Sequence, residues 1–340
     1  MRAARFYGKE DIRVEEIEEP VVKEGWIKIK PAFVGICGTG RSPPLSSSSL
    51  ELWSTLQDLL YLTTSTDLHE YLGGPNFAPL TPHPVTKDVI PITFGHEFSG
   101  TVSALGTGVT NFKVGQKVSI QPTIYDKTCF ACHNGLENVC YNGGFVGLSG
   151  WGGGLSDAVC VPANYVLPLP DNVPLDIAAL VEPLSVGWHA VARSPLTKDS
   201  NILIFGGGPI GIAVIHALRA RGCGKIIVSE ISGSRQKFCS QSGADVILDP
   251  RKDDVVARSK EETGGEGVDI VFDCAGVASG LKSACQSIKA RGTVVNVAIW
   301  EKEIPFQPNE LVWKEGKYIA CLGYVQQDFK QVIQAISSGK

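Results

Sequence analysis

Ile202-Leu203-Ile204-Phe205-Gly206-Gly207-Gly208-Pro209-Ile210-Gly211 is the stretch whose reading decides the fold. Four apolar residues in a row predict a short strand buried on both faces. The glycines end that strand, and a helix is predicted from about Ile212 to Arg221. A second predicted strand, Lys225 to Ser229, runs into Glu230, 19 residues past Gly211. Strand, Gly-x-Gly-x-x-Gly turn, helix and a downstream acid together form a dinucleotide-binding fingerprint. Glycines let the backbone approach a pyrophosphate, and a helix N-terminus favours its negative charge. On this reading Gly206, Gly208, Pro209, Ile210 and Gly211 line the phosphate site. Glu230 accepts hydrogen bonds from the adenosine ribose, and its charge repels a 2′-phosphate, which favours NAD. Arg235 leaves room for NADP.

Three further apolar runs continue the alternation of strand and helix: Asp245–Leu248, Asp269–Asp273 and Thr293–Val297. They predict a parallel sheet with crossover helices. Leu175–Ala192 reads as a helix whose apolar face is interrupted at Glu182-Pro183, and Asp328–Ser338 reads as a helix near the end. The N-terminal half has another character. Residues 1–34 alternate apolar and polar through Ile12, Val14, Ile17, Trp26, Ile27 and Ile29, and residues 99–120 and 157–169 are strand-like with glycine turns.

Metal chemistry is concentrated in that half. In Phe94-Gly95-His96-Glu97-Phe98-Ser99-Gly100 an imidazole and a carboxylate stand side by side between glycines. Both are ordinary zinc ligands. A loop pair bonded to backbone is the other reading of the same residues. Gly35-Ile36-Cys37-Gly38-Thr39 presents a thiol between glycines. Asp126, Cys129, Cys132 and Cys140 are separated by two, two and seven residues. Three thiolates and a carboxylate at that spacing make a four-coordinate structural zinc set, with His133 as a substitute ligand.

The totals exclude several classes. The chain has 340 residues, of which 43% are hydrophobic and 19% charged, with a net charge of -4. That is long enough for two domains and has no basic stripe for nucleic acid. No run approaches the ~20 apolar residues of a membrane span, and Met1–Glu10 is unlike a signal peptide. Ten cysteines without a secretory signal read as metal ligands and packed thiols, which makes cytoplasm the expected location.

These pieces, in this order, resemble the zinc-dependent medium-chain dehydrogenase/reductase superfamily. The resemblance rests on Gly-Ile-Cys-Gly-Thr at 35–39, Gly95-His96-Glu97-x-x-Gly100, the cysteine cluster, Val181-Glu182-Pro183-Leu184 and the glycine turn. Phe145-Val146-Gly147-Leu148-Ser149-Gly150-Trp151-Gly152-Gly153-Gly154 is most similar to the butanediol dehydrogenase branch, near the sorbitol dehydrogenases. The resemblance implies a GroES-like β-rich catalytic domain over residues 1–165 and a Rossmann domain over 166–304. Residues 305–340 would return toward the first domain, and the active site would lie in the cleft between them. It implies a catalytic zinc on Cys37 and His96, completed by Glu97 or Glu182, with the choice between the two acids open. It further implies NAD(H)-linked interconversion of a secondary alcohol or diol with its ketone, of 2,3-butanediol/acetoin type. Polyol oxidation of sorbitol or xylitol type is the near alternative. Thr39 and His69 match the family's proton relay, and homo-oligomers are usual in the family.

Two departures stand out. Residues 40–66, rich in Ser and Leu, interrupt the family's Cys-Gly-Thr-Asp, and Leu52, Leu56, Leu59 and Leu60 recur there at helical spacing. Removing the segment restores Gly-Ile-Cys-Gly-Thr-Asp-Leu-His-Glu-Tyr in frame, so it reads as intron-derived; a cDNA encoding all of it would remove that reading. The chain also stops at Lys340, where relatives usually continue. Together these make a catalytically impaired, dinucleotide-binding chain a further reading.

Overall fold

The computed structural model describes residues 1–36, 66–300 and 302–340. Cys37, Thr39 and the helix read at Leu52–Leu60 fall outside the described residues. The described chain forms two compact units, Met1–Glu182 with Val325–Gly339, and Pro183–Tyr324 with Lys340.

The first unit is built from antiparallel sheets. Strands β1 (Arg2–Gly8), β2 (Asp11–Glu16), β3 (Trp26–Gly35), β4 (Ile92–Thr93) and β5 (Glu97–Leu105) come first, with helix α1 (Thr66–Gly73) between β3 and β4. Then follow β6 (Lys117–Ile120), β7 (Thr123–Ile124), the short helix α2 (Phe130–His133), β8 (Gly144–Phe145), β9 (Val159–Pro162) and β10 (Val166–Pro168). The strands pair in the orders β2-β1-β4, β10-β6-β5-β3-β9 and β7-β8. Residues 157–169, read as one strand-like run, are two strands split by a 3-10 turn at Ala163–Tyr165.

Alternation along β5 and β6 sorts their side chains. Phe98, Val102, Val118 and Ile120 enter one apolar core with Ile27, Ile29 and Val161. Ser99 and Ser119 lie opposite each other on the other face. Both donate to carbonyls of α3 (Leu175–Ala179), at Leu175 and Ala178. Gly100 sits where a Cβ would strike the Lys30 carbonyl, so the close approach of β3 and β5 requires glycine there.

The second unit is the parallel sheet that the glycine turn foretold. After α4 (Val181–Arg193) come β11 (Ile202–Phe205), α5 (Pro209–Arg221), β12 (Ile226–Ser229), α6 (Gly233–Gln241), β13 (Val246–Leu248) and α7 (Val255–Glu261). These are followed by β14 (Val268–Asp273), α8 (Ala278–Ser287), β15 (Ile288–Asn296), α9 (Asn309–Val312) and β16 (Lys317–Ala320). The strand order is β13-β12-β11-β14-β15-β16. Ile202, Ile204, Ile226 and Val228 pack on one face against Val214, Ile215 and Leu218 of α5. Leu203, Phe205 and Ile227 pack on the other against Leu281 and Ala284 of α8. Both faces are covered, which is why β11 reads as an unbroken apolar run.

Helix α5 starts three residues earlier than the apolar pattern suggested. Gly208 is its N-cap and Pro209, pre-set in φ, takes the first turn. Leu175–Ala192 is two helices rather than one, breaking at Leu180, so that Glu182-Pro183 opens α4 instead of interrupting a helix. A proline at N3, still within the first turn, loses no intrahelical bond there. Helix α10 (Gln326–Ser337) ends the fold and belongs to the first unit, where Gln326 N–H donates to Glu137. Among the described residues no helix is long and apolar enough to cross a membrane.

Gly100→Ala is expected to destabilise the first unit by about 1–3 kcal/mol, because backbone rather than a flexible side chain must yield. Thermal or urea unfolding checks this, and an unchanged midpoint would contradict the close approach.

Candidate metal centres and nucleotide turn

The buried acids and the imidazole converge at the start of β5. Gly95, at φ +102°, turns the chain so that His96 precedes the strand and Glu97 begins it. The sheet register pairs Glu97 with Gly35, and the Glu97 carboxylate fills the space that a Cβ on Gly35 would need. Glu182 arrives from the first turn of α4. One ligand atom from each of His96, Glu97 and Glu182 lies within 4.8 Å of the others, and all three residues are buried. Cys37 lies outside the described residues, and the described chain approaches it from Gly35, beside Glu97.

One member of this group was not singled out from the sequence. Asp67, on α1 and 4% exposed, places Oδ1 3.2 Å from His96 Nδ1. A ring proton on Nδ1 would face Asp67 and leave Nε2, 4.0 Å from Glu97 Oε1, as the ligand atom. A carboxylate behind a histidine orients the ring and raises its basicity. Asp67 stood in the sequence as the residue where the interrupted motif resumes, which was the one available signal. His69 lies on the same helix, two residues further on. Also on α1, Glu70 is fully buried and accepts from the backbone N–H groups of Asn76, Phe77 and Ala78, which ties the helix to the following loop. Burial raises its pKa, and those three bonds oppose the rise.

The second group is Asp126, Cys129, Cys132 and Cys140, again with ligand atoms within 4.8 Å of one another. Cys129 Sγ is 3.6 Å from Cys132 Sγ and 3.8 Å from Cys140 Sγ. Asp126 is held before any ion is considered. Its Oδ1 accepts from the N–H groups of Cys129 (3.0 Å) and Thr128 (2.8 Å), and Asn142 Nδ2 donates to Oδ2 at 2.7 Å. Those bonds hold its carboxyl well below the usual carboxylate range. Burial pushes the Cys132 thiol up to about 12, with Cys140 and Cys129 adding to the rise. Bringing thiols this close is unfavourable for their ionised forms unless a cation is shared among them. The donor set fits zinc: three sulfurs and a carboxylate for a closed structural site, one imidazole and two carboxylates for an open catalytic one. His133 is at the end of α2 and is not among the four grouped atoms.

In the second unit the glycine turn is fixed by side chains beneath it. Gly206 has φ +90°, and a Cβ on Gly211 would run into the Gly206 carbonyl. Glu230, 5% exposed, accepts from Gly207 N–H at 2.7 Å through Oε2 and from Ser232 N–H at 2.7 Å through Oε1. Each oxygen keeps a second lone pair for another donor. Cys239 Sγ packs where a Cβ on Gly207 would sit. Arg235 lies on α6, the helix that follows Glu230.

Comparison with known proteins adds to this geometry. The family described as alcohol dehydrogenase GroES-like domain matches residues 64–171, and that described as zinc-binding dehydrogenase matches 209–338. The chain is 41% identical to (R,R)-butanediol dehydrogenase of Bacillus subtilis (strain 168), over 100% of this chain and 89% of that protein. It is 31% identical to sorbitol dehydrogenase of the same organism, over 90% of this chain and 77% of that one. The crystal structure of 2R,3R-butanediol dehydrogenase from Bacillus subtilis superposes with a TM-score of 0.86 at 40% identity, covering 99% of this chain and 88% of that chain.

Metal analysis is expected to find two zinc ions per chain, one of them lost on Cys132→Ser. Asp67→Ala is expected to weaken the other by roughly 10–100-fold in a chelator competition. Unchanged affinity would show that the Asp67–His96 contact does not orient the ligand. The depressed Asp126 carboxyl also sets a pH direction: its contribution is present above the unfolded value near 3.8 and is lost as pH falls toward the lower folded one. Asp126→Asn should therefore flatten the acid limb of unfolding in metal-free protein.

Proposed function

Because the chain belongs to the zinc-dependent medium-chain dehydrogenase/reductase superfamily, with zinc and NAD as its cofactors, we propose that it interconverts a vicinal diol and its hydroxyketone, of 2,3-butanediol/acetoin type. The observation that carries this reading is the convergence of His96, Glu97 and Glu182 in the unit that also bears the structural cluster. The butanediol dehydrogenases among its relatives supply the substrate class. The sorbitol dehydrogenase relative keeps polyol oxidation as the second reading.

His96, with Glu97 or Glu182, would hold the catalytic zinc, and Cys37 is proposed as a further ligand. Zinc, when bound, lowers the pKa of a coordinated hydroxyl toward neutrality. Asp67 keeps the His96 lone pair directed at the ion by fixing the opposite nitrogen. Phe145, whose ring centroid is 6.5 Å from that of His96, supplies apolar surface that excludes water. Thr39 and His69 are proposed to carry the released proton outward. In the second unit the N–H groups at the start of α5 would meet the pyrophosphate, with Gly206, Gly208, Pro209, Ile210 and Gly211 allowing close approach. Glu230, which holds Gly207, would also accept the ribose hydroxyls, and Arg235 would modulate the choice between NAD and NADP.

Self-association is proposed through the sheet edge at β16, which among the described residues pairs with β15 alone and carries the exposed Tyr318. A monomer in sedimentation would remove this. A cytoplasmic location remains part of the proposal.

Purified protein with NAD and a panel of 2,3-butanediol, sorbitol, xylitol and 2-butanol, read as absorbance of reduced nicotinamide, tests the function. Turnover is expected to be best with 2,3-butanediol. Preference for sorbitol would favour the polyol reading, and NADH binding without turnover would favour the impaired one. Glu230→Ala is expected to weaken NAD roughly tenfold or more while affecting NADP less.

A further inference from the structure

Gln121 is a buried amide with nothing to bond. It is 0% exposed, and neither Nε2 nor Oε1 has a hydrogen-bond partner among the described residues. Thr123, two residues on and 3% exposed, has an equally unpartnered Oγ1. Leaving such atoms unsatisfied costs about 1–3 kcal/mol each, so a pair of them in a well-packed sheet requires an explanation.

The strand ladder says where Gln121 stands. Its own N–H donates to the Tyr165 carbonyl, one step beyond the Val166–Ile120 pair, so strand geometry continues through it. Ile120 faces the apolar core, and Gln121 therefore faces the opposite side, with Ser119. On β5 that side carries Ser99 and Glu97. Ser99 pairs with Ser119, and extending the antiparallel register by two residues sets Gln121 across from Glu97. Directly opposed side chains on one face are in reach of each other. Two residues on, Thr123 pairs with Phe145, whose ring centroid is 6.5 Å from that of His96.

We infer that Gln121 is a positioning residue for the candidate catalytic metal site, its side-chain amide hydrogen-bonding the Glu97 carboxylate when a cation draws that carboxylate toward His96 and Glu182. A carboxylate has four lone-pair directions, and a metal bond leaves acceptor capacity for an amide N–H. The penalty of the unpaired amide is then relieved in the loaded state and adds to metal affinity. Hydrogen bonds to ligating carboxylates of this kind tune a metal site without touching the ion. The inference rests on the proposed metal site, and it assigns the acid on β5, rather than the one on α4, to Gln121.

The test compares wild type, Gln121→Met, which keeps length and removes the polar atoms, and Gln121→Asn, which keeps the amide but shortens it. The signal is the zinc ion lost on His96→Ala, followed by chelator competition, together with the visible spectrum after cobalt substitution and the melting temperature of metal-free protein. Both variants should bind that zinc roughly 10–100-fold more weakly, with a shifted cobalt spectrum, while metal-free Gln121→Met melts no lower than wild type. A merely structural role predicts a changed melting temperature with unchanged zinc affinity and spectrum, and that result overturns the inference. A wild-type chain whose zinc content is the same with and without His96→Ala overturns it too, and in that case the metal site itself fails. Unchanged zinc affinity in the variants, with the His96-dependent ion present, removes Gln121 alone.

Discussion

The pairing of β3 with β5 is the constraint on which the first unit depends. These are the longest strands of their sheet, ten and nine residues, and they lie close enough that Gly35 and Gly100 leave no room for a Cβ. The approach has a chemical consequence. At one end of the ladder it presses Gly35 against Glu97, and so brings the chain that leads into Cys37 to the residue that follows His96. A looser sheet would still bury Phe98 and Val102, but it would no longer aim the carboxylate.

Once that ladder is set, the other site residues need only arrive. Helix α1 brings Asp67 to the back of His96, and its own position is secured by Glu70 gripping three successive backbone N–H groups. The break at Leu180 starts a new helix one residue before Glu182, so the acid leaves the backbone in a first turn, where the helix dipole favours negative charge. Ser99 and Ser119 pin α3 to the sheet and thereby fix where α4 begins. The cysteine group is more local. Its carboxylate is oriented by its own turn and by Asn142, with little help from the rest of the fold.

In the second unit the same economy appears in the glycine turn. Glu230, which the sequence pattern assigns to the ribose as an expectation, holds Gly207 and Ser232 in the structure. The turn and the acid are thus one mechanical piece, with Cys239 packed beneath.

Local patterns carried much of this into the sequence. The Gly-x-Gly-x-x-Gly turn, the acid after the second strand, His96-Glu97 and the Asp126-to-Cys140 spacing were all legible, because each depends on residues close together along the chain. The Rossmann-type sheet was legible for a related reason: strands covered on both faces must be apolar throughout, and Ile202–Phe205 is. What only the tertiary structure decided were the meetings between distant segments. Asp67 finds His96 across 29 positions, Glu182 reaches Glu97 from another helix, and Gln121 comes across from Glu97 only by extending a sheet register that pairs Ser119 with Ser99. A lone Asp or Gln in a strand or helix carries no mark of its partner, since the contact energy depends on a neighbour that local pattern does not specify.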